Sequence, residues 1–329
     1  YTREDLEMWA DCIARMLTAI GVGAEDIVQV AFGYGLFTGG FGAHAGAERV
    51  GATVVPISAG NTALQIQTMI DFKSTVLCCT PSYAMYLGEE IEKLGVKDQL
   101  SLKCGIFGAE PWTESMRAQI EEKLGIKAYD IYGLSEIMGP GVSYECECQA
   151  GMHVNEDNFI PEIIDPDTGE VLPEGATGEL VFTTLTKQGF PLIRYRTRDI
   201  CSLNYEPCAC GRTTMRLSSV IGRRGQMIKF KGTTLYPPAL YDVLENIPGV
   251  NNYIIEVFTG SLGTDQIVLR IGSTRRDEAF EKEIKDTFRS KVRVAPEVVF
   301  EPVEYIAKKQ MPQMSRKQIK FVDLREQTK

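Results

Sequence analysis

Two stretches decide the fold: Leu102-Lys-Cys-Gly-Ile-Phe-Gly-Ala-Glu-Pro-Trp112 and Lys127-Ala-Tyr-Asp-Ile-Tyr-Gly-Leu-Ser-Glu136. Each begins as a short apolar run and breaks at a glycine followed by polar residues. Between them, Thr113–Leu124 carries helical spacing. An apolar strand, a glycine break and a helix, repeated, predict a parallel sheet covered on both faces. Working outward, the same unit recurs. Strands are expected at Asp26–Phe32, Ala52–Ile57 and Thr75–Thr80, and helices up to Val50, at Thr62–Phe72 and at Ser82–Leu94. An amphipathic helix over residues 3–21 precedes them, with Leu6, Trp9, Ala10, Ile13, Leu17 and Ile20 on one face and Thr2 as its cap.

Beyond Gly141 the pattern changes to short β-rich segments, Phe159–Ile164, Gly178–Thr184 and Leu192–Tyr195, punctuated by Asp165-Pro-Asp-Thr-Gly169 and Pro173-Glu-Gly175. This predicts a β subdomain attached to the parallel sheet. Past a glycine- and charge-rich boundary at Ile221–Lys231, two helices (Pro238–Asn246, Glu278–Lys291) and three strands (Tyr253–Thr259, Gln266–Ile271, Glu297–Phe300) predict a small α+β domain. The expected division is 1–222 and 223–329. The fold class is α/β, a large domain with a small mobile C-terminal one.

Composition narrows the function. Thirty-five basic against 44 acidic residues give a net charge of −9, a poor surface for nucleic acid. No apolar run reaches the roughly 18–20 residues that span a bilayer, and no signal-peptide pattern precedes the first helix. Nine cysteines, an odd number that includes the apolar pair Cys78-Cys79, argue against a disulfide framework and for a reducing cytoplasm.

Ligands in open α/β sheets collect beyond the carboxyl ends of the strands. Gly108-Ala-Glu-Pro-Trp112 lies there, and alone it reads rather as an ordinary strand-to-helix turn. In Tyr132-Gly-Leu-Ser-Glu136, Gly133 permits close backbone approach, Ser135 offers a hydroxyl to phosphate, Glu136 a hard oxygen to Mg²⁺, and Tyr132 a ring for a base. In Tyr195-Arg-Thr-Arg-Asp199 the aspartate is an acceptor suited to two ribose hydroxyls, or else part of a surface ion-pair cluster. Ile221-Gly-Arg-Arg-Gly-Gln226 and Lys229-Phe-Lys-Gly232 suit a linker, and Met311-Pro-Gln-Met-Ser-Arg-Lys317 closes the series. Separately, Cys146, Cys148 and His153 in one run, with Cys208 and Cys210 in Pro207-Cys-Ala-Cys-Gly-Arg212, offer a Cys₃His zinc set. The set chosen is Cys146, His153, Cys208 and Cys210, with Cys148 in reserve; the alternative is a group of reduced surface thiols. His44 has no evident nucleophile partner and is read as structural.

The order of these motifs resembles the adenylate-forming acyl-CoA ligase superfamily, most closely its phenylacetate–CoA ligase family. Gly33–Gly51, Gly108–Trp112, Tyr132–Gly141, Glu156–Ile164, Gly178–Thr186 and Pro191–Ile200 carry the resemblance. It implies an ATP- and Mg²⁺-dependent ligase acting on an aryl carboxylate and coenzyme A through an acyl-adenylate. It implies that Gly108, Ala109, Glu110 and Pro111 line the adenine and acyl sites. Asp130, Ile131, Tyr132 and Gly133 would hold adenine, Ser135 a phosphate, Glu136 Mg²⁺ and Asp199 the ribose. Arg223 would lie near ribose or phosphates, and Lys317 would reach the carboxylate and α-phosphate. Tyr34, Phe37, Gly40, Ala45 and Pro140 would form the aryl slot, where Tyr34 and Phe37 read equally as core. The small domain would rotate near Gly225, and the protein would be a homodimer. The resemblance also implies a Ser/Thr/Gly-rich phosphate loop, and roughly another hundred residues, ahead of the segment starting at Tyr1.

The chain departs from the family at Gly225-Gln226, where relatives usually carry paired acids, and at Ser315-Arg316, where they carry Glu-Gly. Alternatives are an adenylating enzyme with an amine or carrier-thiol acceptor, a non-catalytic nucleotide-binding protein, and a zinc-stabilised interaction module.

Overall fold

The computed structural model describes residues 1–35, 37–230, 233–259, 265–312 and 318–325. It divides into two compact units. The first joins residues 1–111 to 117–220; the second joins 112–116 to 221–329.

In the first unit, α1 (Arg3–Ala19) opens on a capping box. The Asp5 amide donates to Thr2 Oγ1 (3.2 Å), and the Thr2 amide to Asp5 Oδ2 (2.9 Å). The series continues with β1 (Ile27–Val30), α2 (Thr38–Arg49), β2 (Thr53–Val55), α3 (Thr62–Asp71), β3 (Val76–Cys79), α4 (Pro81–Leu94), β4 (Cys104–Gly108), α5 (Glu114–Leu124) and β5 (Lys127–Leu134). Strands β2-β1-β3-β4-β5 pair in that order, all parallel. The crossover from β1 runs one way along the sheet and those from β2, β3 and β4 the other. Right-handed crossovers therefore put α2 on one face and α3, α4 and α5 on the other. Side chains alternate accordingly. Val28, Val30, Cys78 and Ile106 join the core beneath α1 and α2, while Leu77 and Phe107 are fully buried on the opposite face.

Gly39, Gly40 and Gly42 fall in the first turns of α2. A Cβ on Gly42 would lie 2.5 Å from the Trp9 ring, and one on Gly46 2.2 Å from Ile13 Cγ2. The small residues let α2 lie directly on α1.

Beyond β5 the sheet continues, which corrects the expectation of a change of architecture at Gly141. Strands β6 (Gly139–Glu145) and β7 (Met152–Val154) extend it antiparallel, and two further short strands complete its edge. The separate β layer is β8 (Phe159–Ile164), β9 (Gly178–Thr184) and β10 (Tyr195–Cys201), an antiparallel meander. Leu192 is loop rather than strand. The edge pair is β11 (Leu203–Asn204) and β12 (Arg216–Leu217).

The second unit holds β13 (Gly222–Arg223), β14 (Ile228–Phe230), β15 (Thr233–Leu235), α6 (Pro237–Glu245), β16 (Asn252–Thr259), β17 (Asp265–Gly272), α7 (Glu278–Val292), β18 (Glu297–Glu301), α8 (Val303–Gln310) and β19 (Phe321–Asp323). The expected division between 222 and 223 falls inside β13; the compact units part after Val220. Strand order is β18-β17-β16-β19. Leu240 and Leu244 of α6 and Phe280, Ile284 and Phe288 of α7 pack in one core with Ile255, Val257, Ile267 and Leu269. Sequence periodicity missed α8, which is short and charged, and β19, which is only three residues long. Among the described residues, no helix is long and apolar enough to cross a membrane.

Candidate active site

The order 2-1-3-4-5 reverses between β1 and β3, so a ligand is expected over the carboxyl ends of these strands and their neighbours β4 and β5. Gly108 ends β4 so close to β5 that a Cβ there would meet the Ile131 carbonyl oxygen at 2.5 Å. Ala109 follows with a left-handed φ of 68°, turning the chain off the sheet. Glu110 accepts from the Ser82 amide at 3.3 Å, tying this turn to the start of α4.

At the end of β5, Gly133 is required sterically: its Cβ would lie 1.8 Å from the Gly139 carbonyl oxygen. Ser135 and Glu136 emerge exposed from this turn, with Ser135 Oγ 3.0 Å from Thr38 Oγ1. Sequence reasoning missed Thr38, which begins α2 and carries no local motif. Asp130 and Ile131 are buried, and the Asp130 amide donates to Glu145 at 2.8 Å.

Tyr132 is only 8% exposed. Its ring stacks on Phe182 (centroids 6.2 Å apart), and its hydroxyl donates to Asp199 Oδ2 at 2.8 Å. Burial and the Asp199 charge both push the phenol well above its ordinary pKa, so it stays a donor. Asp199 reaches this position through a bulge. Between Arg196 and Ile200 the register slips against β9, with Arg198 at φ 66°. Such bulges re-aim side chains beside sites.

Of the expected aryl-slot residues, only Pro140 lines the apolar crevice found under α2. Its other walls include Phe32, Gly39, Ala43, Cys78 and Ile106, and its free volume of about 10 Å³ admits one water. The Tyr34 hydroxyl lies 3.2 Å from His44 Nδ1, Phe37 packs 6.1 Å from Phe32, Gly40 abuts the Gly33 carbonyl, and Ala45 is half-buried. His44 thus has a structural partner, and its Nε2 lies 3.5 Å from Glu48. Arg223 is exposed on β13 of the second unit. Lys317 lies outside the described residues.

A second site sits at the far edge of the sheet. The ligand atoms of Cys146, His153, Cys208 and Cys210 all fall within 4.8 Å of one another; Cys148 is not in the group. Cys146 follows β6, His153 is in β7, and a turn through Gly211 (φ 86°) presents Cys208 and Cys210. Cys146 Sγ and Cys208 Sγ are 3.8 Å apart, and Cys210 Sγ is 3.5 Å from His153 Nε2. A tetrahedron with Zn–S bonds of about 2.3 Å has S···S edges of about 3.8 Å. These two spacings match zinc, and the remaining donor atoms lie within 4.8 Å, close enough for a bound ion to draw them in. Thr214 Oγ1 lies 2.9 Å from His153 Nδ1, which leaves Nε2 for a metal. Burial, with Arg212 and Arg216, lowers the His153 pKa and favours the neutral, ligating imidazole. Burial pushes the Cys146 thiol up to about 12. At Cys210 burial also opposes ionisation, but hydrogen bonds from Arg212 and the neighbouring thiols bring it down to about 7.

Residues 36–185 match the AMP-binding enzyme family. The matched stretch contains both the Gly108–Trp112 and the Tyr132–Glu136 turns. Among relatives, the phenylacetate-coenzyme A ligase of Aromatoleum evansii is 46% identical over 92% of this chain and 71% of its own length. That of Thermus thermophilus is 48% identical over 88% of this chain and 63% of its own. The chain belongs to the phenylacetate–CoA ligase family, and it spans a little under two thirds of the Thermus protein. A crystal structure of 2-hydroxyisobutyryl-CoA ligase in its postadenylation state superimposes with a TM-score of 0.86 at 26% identity, covering 98% of this chain and 70% of that one.

Proposed function

We propose that the protein is an aryl-acid–CoA ligase of the phenylacetate type. A carboxylate oxygen attacks the α-phosphorus of ATP and pyrophosphate leaves, giving an acyl-adenylate. The coenzyme A thiolate then attacks the acyl carbon and AMP leaves. The observation that carries this is the meeting of the Gly108–Glu110 turn, the Ser135-Glu136 loop and the Tyr132–Asp199 pair at the carboxyl ends of β4 and β5 and on β10, in a chain of this family.

In this reading the Gly108–Pro111 turn and the Asp130–Gly133 backbone hold the adenine, and Ser135 a phosphate. Asp199, oriented by Tyr132, accepts from the ribose hydroxyls. Glu136 holds Mg²⁺, which when bound offsets charge on the phosphates. Tyr34, Phe37, Gly40, Ala45 and Pro140 shape the acyl side, Arg223 lies near ribose or phosphates, and Lys317 stabilises charge growing at the α-phosphate. The mobile C-terminal domain, residues 223–329, turns about Gly225 so that Lys317 serves the first half-reaction only. The nine cysteines, all free, suit a reducing cytoplasm; the homodimer follows from the family alone. The test is detection of AMP and an aryl-CoA thioester when ATP, Mg²⁺, coenzyme A and a panel of aryl and alkyl acids are supplied. An amide or carrier-bound product in place of the thioester would move the assignment to another acyl acceptor.

We further propose that Cys146, His153, Cys208 and Cys210 hold one structural zinc that pins the sheet edge. Metal analysis should find one zinc per chain. With zinc at about 100 times its dissociation constant, binding contributes about 2.7 kcal/mol. Chelation, or Cys208→Ser, should therefore lower the melting temperature by about 5–11 °C. A metal-free protein indifferent to chelator would make these four residues reduced thiols.

A further inference from the structure

The turn that presents Ser135 and Glu136 has few ladder bonds and ends in Gly139 at φ 110°, yet its backbone carbonyls are caught one after another by distant side chains. Tyr1 Oη donates to the Met138 carbonyl (2.7 Å) and lies 3.3 Å from that of Ser135. Trp9 Nε1 donates to the Pro140 carbonyl at 2.8 Å. Lys187, 7% exposed, donates through Nζ to the Ile137 carbonyl.

The donors also brace one another. Lys187 Nζ lies 4.5 Å over the Tyr1 ring, which stacks on Trp9 at 5.5 Å. The buried Asp5 carboxylate accepts from the amides of Gln188 (2.7 Å) and Gly189 (2.8 Å), which fixes the segment that carries Lys187. A buried ammonium is expensive to leave without partners. Here it meets the Ile137 carbonyl and the Tyr1 ring, with the Asp5 charge nearby.

We propose that Lys187 is a positioning residue for the phosphate and Mg²⁺ end of the site. Together with Tyr1 it holds the carbonyls on either side of Glu136, and so fixes where Ser135 and Glu136 meet MgATP. The inference rests on the ligase reading above. The Lys187 and Tyr1 bonds touch none of the aryl-slot residues; of the set, only the Trp9 bond, to the Pro140 carbonyl, reaches the acyl end.

The test compares Lys187→Met, Lys187→Arg and Tyr1→Phe with the unaltered chain. Pyrophosphate release is followed while MgATP, free Mg²⁺ and the aryl acid are varied separately, and each variant is also melted. For Lys187→Met, a loss of about 10- to 100-fold in kcat/KM for MgATP is expected, because a 1 Å misplacement can carry that effect. The Mg²⁺ midpoint should rise, and KM for the acid should stay within about twofold. Lys187→Arg should recover part of the loss. Tyr1→Phe should fold normally and show the same selective shift in smaller measure. The inference is overturned if Tyr1→Phe and either Lys187 variant melt normally and keep their MgATP and Mg²⁺ dependence. It is also overturned if Lys187→Met only melts earlier, with activity lost in proportion to folded protein and KM values unmoved. If the unaltered protein, in a form that carries the phosphate loop, releases no pyrophosphate with any acid, the ligase reading itself fails and the inference goes with it.

Discussion

Replacing Glu145 by alanine is expected to destabilise the larger unit by about 3–5 kcal/mol, the usual cost of stranding one member of a buried ion pair. Arg117 NH1 and NH2 donate to the two Glu145 carboxylate oxygens at 2.8 and 3.0 Å, and both side chains are less than a tenth exposed. Glu145 also accepts from the Asp130 amide, and Arg117 donates to the Ala128 carbonyl. The carboxylate thus ties α5 to β5 and β6, directly beneath the strand that ends in Tyr132 and Gly133. Urea unfolding would measure the loss. Replacing both partners with apolar residues, Arg117→Met with Glu145→Leu, should recover much of it, since an apolar pair strands no charge. A single-variant effect below about 1 kcal/mol would mean that the pair holds nothing together.

The second large effect is on rate. Asp199→Ala removes the acceptor held by Tyr132 at 2.8 Å and assigned to the ribose. Two hydrogen bonds to a charged group, at about 1.5–3 kcal/mol each, predict a loss of at least about 100-fold in kcat/KM for ATP. The melting temperature should also fall by a few degrees, because the buried Tyr132 hydroxyl loses its acceptor. Tyr132→Phe keeps the carboxylate but removes its guide, so a smaller loss on the same parameter is expected. If Asp199→Ala folds and keeps kcat/KM for ATP within about threefold, the ribose assignment is wrong.

The parallel half of the sheet was readable because its strands are buried on both faces and their helices are amphipathic. Each leaves a local signature at Val76–Cys79, Cys104–Gly108 or Lys127–Ile131. Steric glycines were readable too: Gly108, Gly133 and Gly211 occupy positions where a side chain would collide or a left-handed turn is needed. Residues that act across long sequence separations were not. Thr38 meets Ser135 from 97 residues away, and Tyr1 reaches Met138 across 137. Lys187 looks in the sequence like an ordinary surface lysine. Glu145, beside a cysteine-rich run, gave no hint of its partner Arg117. Gly141 read as a change of architecture because no helical pattern separates the short strands beyond it, although β6, which contains it, and β7 continue the same sheet. The aryl slot was the least legible. Its residues came from resemblance, and only Pro140 borders the crevice under α2.

The most direct test of the account is pyrophosphate release by the chain with ATP and Mg²⁺, across aryl and alkyl acids, with Lys317→Ala alongside. The account predicts release that requires an aryl acid, passes on to an acyl-CoA when coenzyme A is added, and falls by about 100-fold or more in Lys317→Ala. Measurable nucleotide binding with no pyrophosphate release from any acid, by a form of the protein that carries the phosphate loop, would contradict it, and would leave a nucleotide-binding protein without turnover.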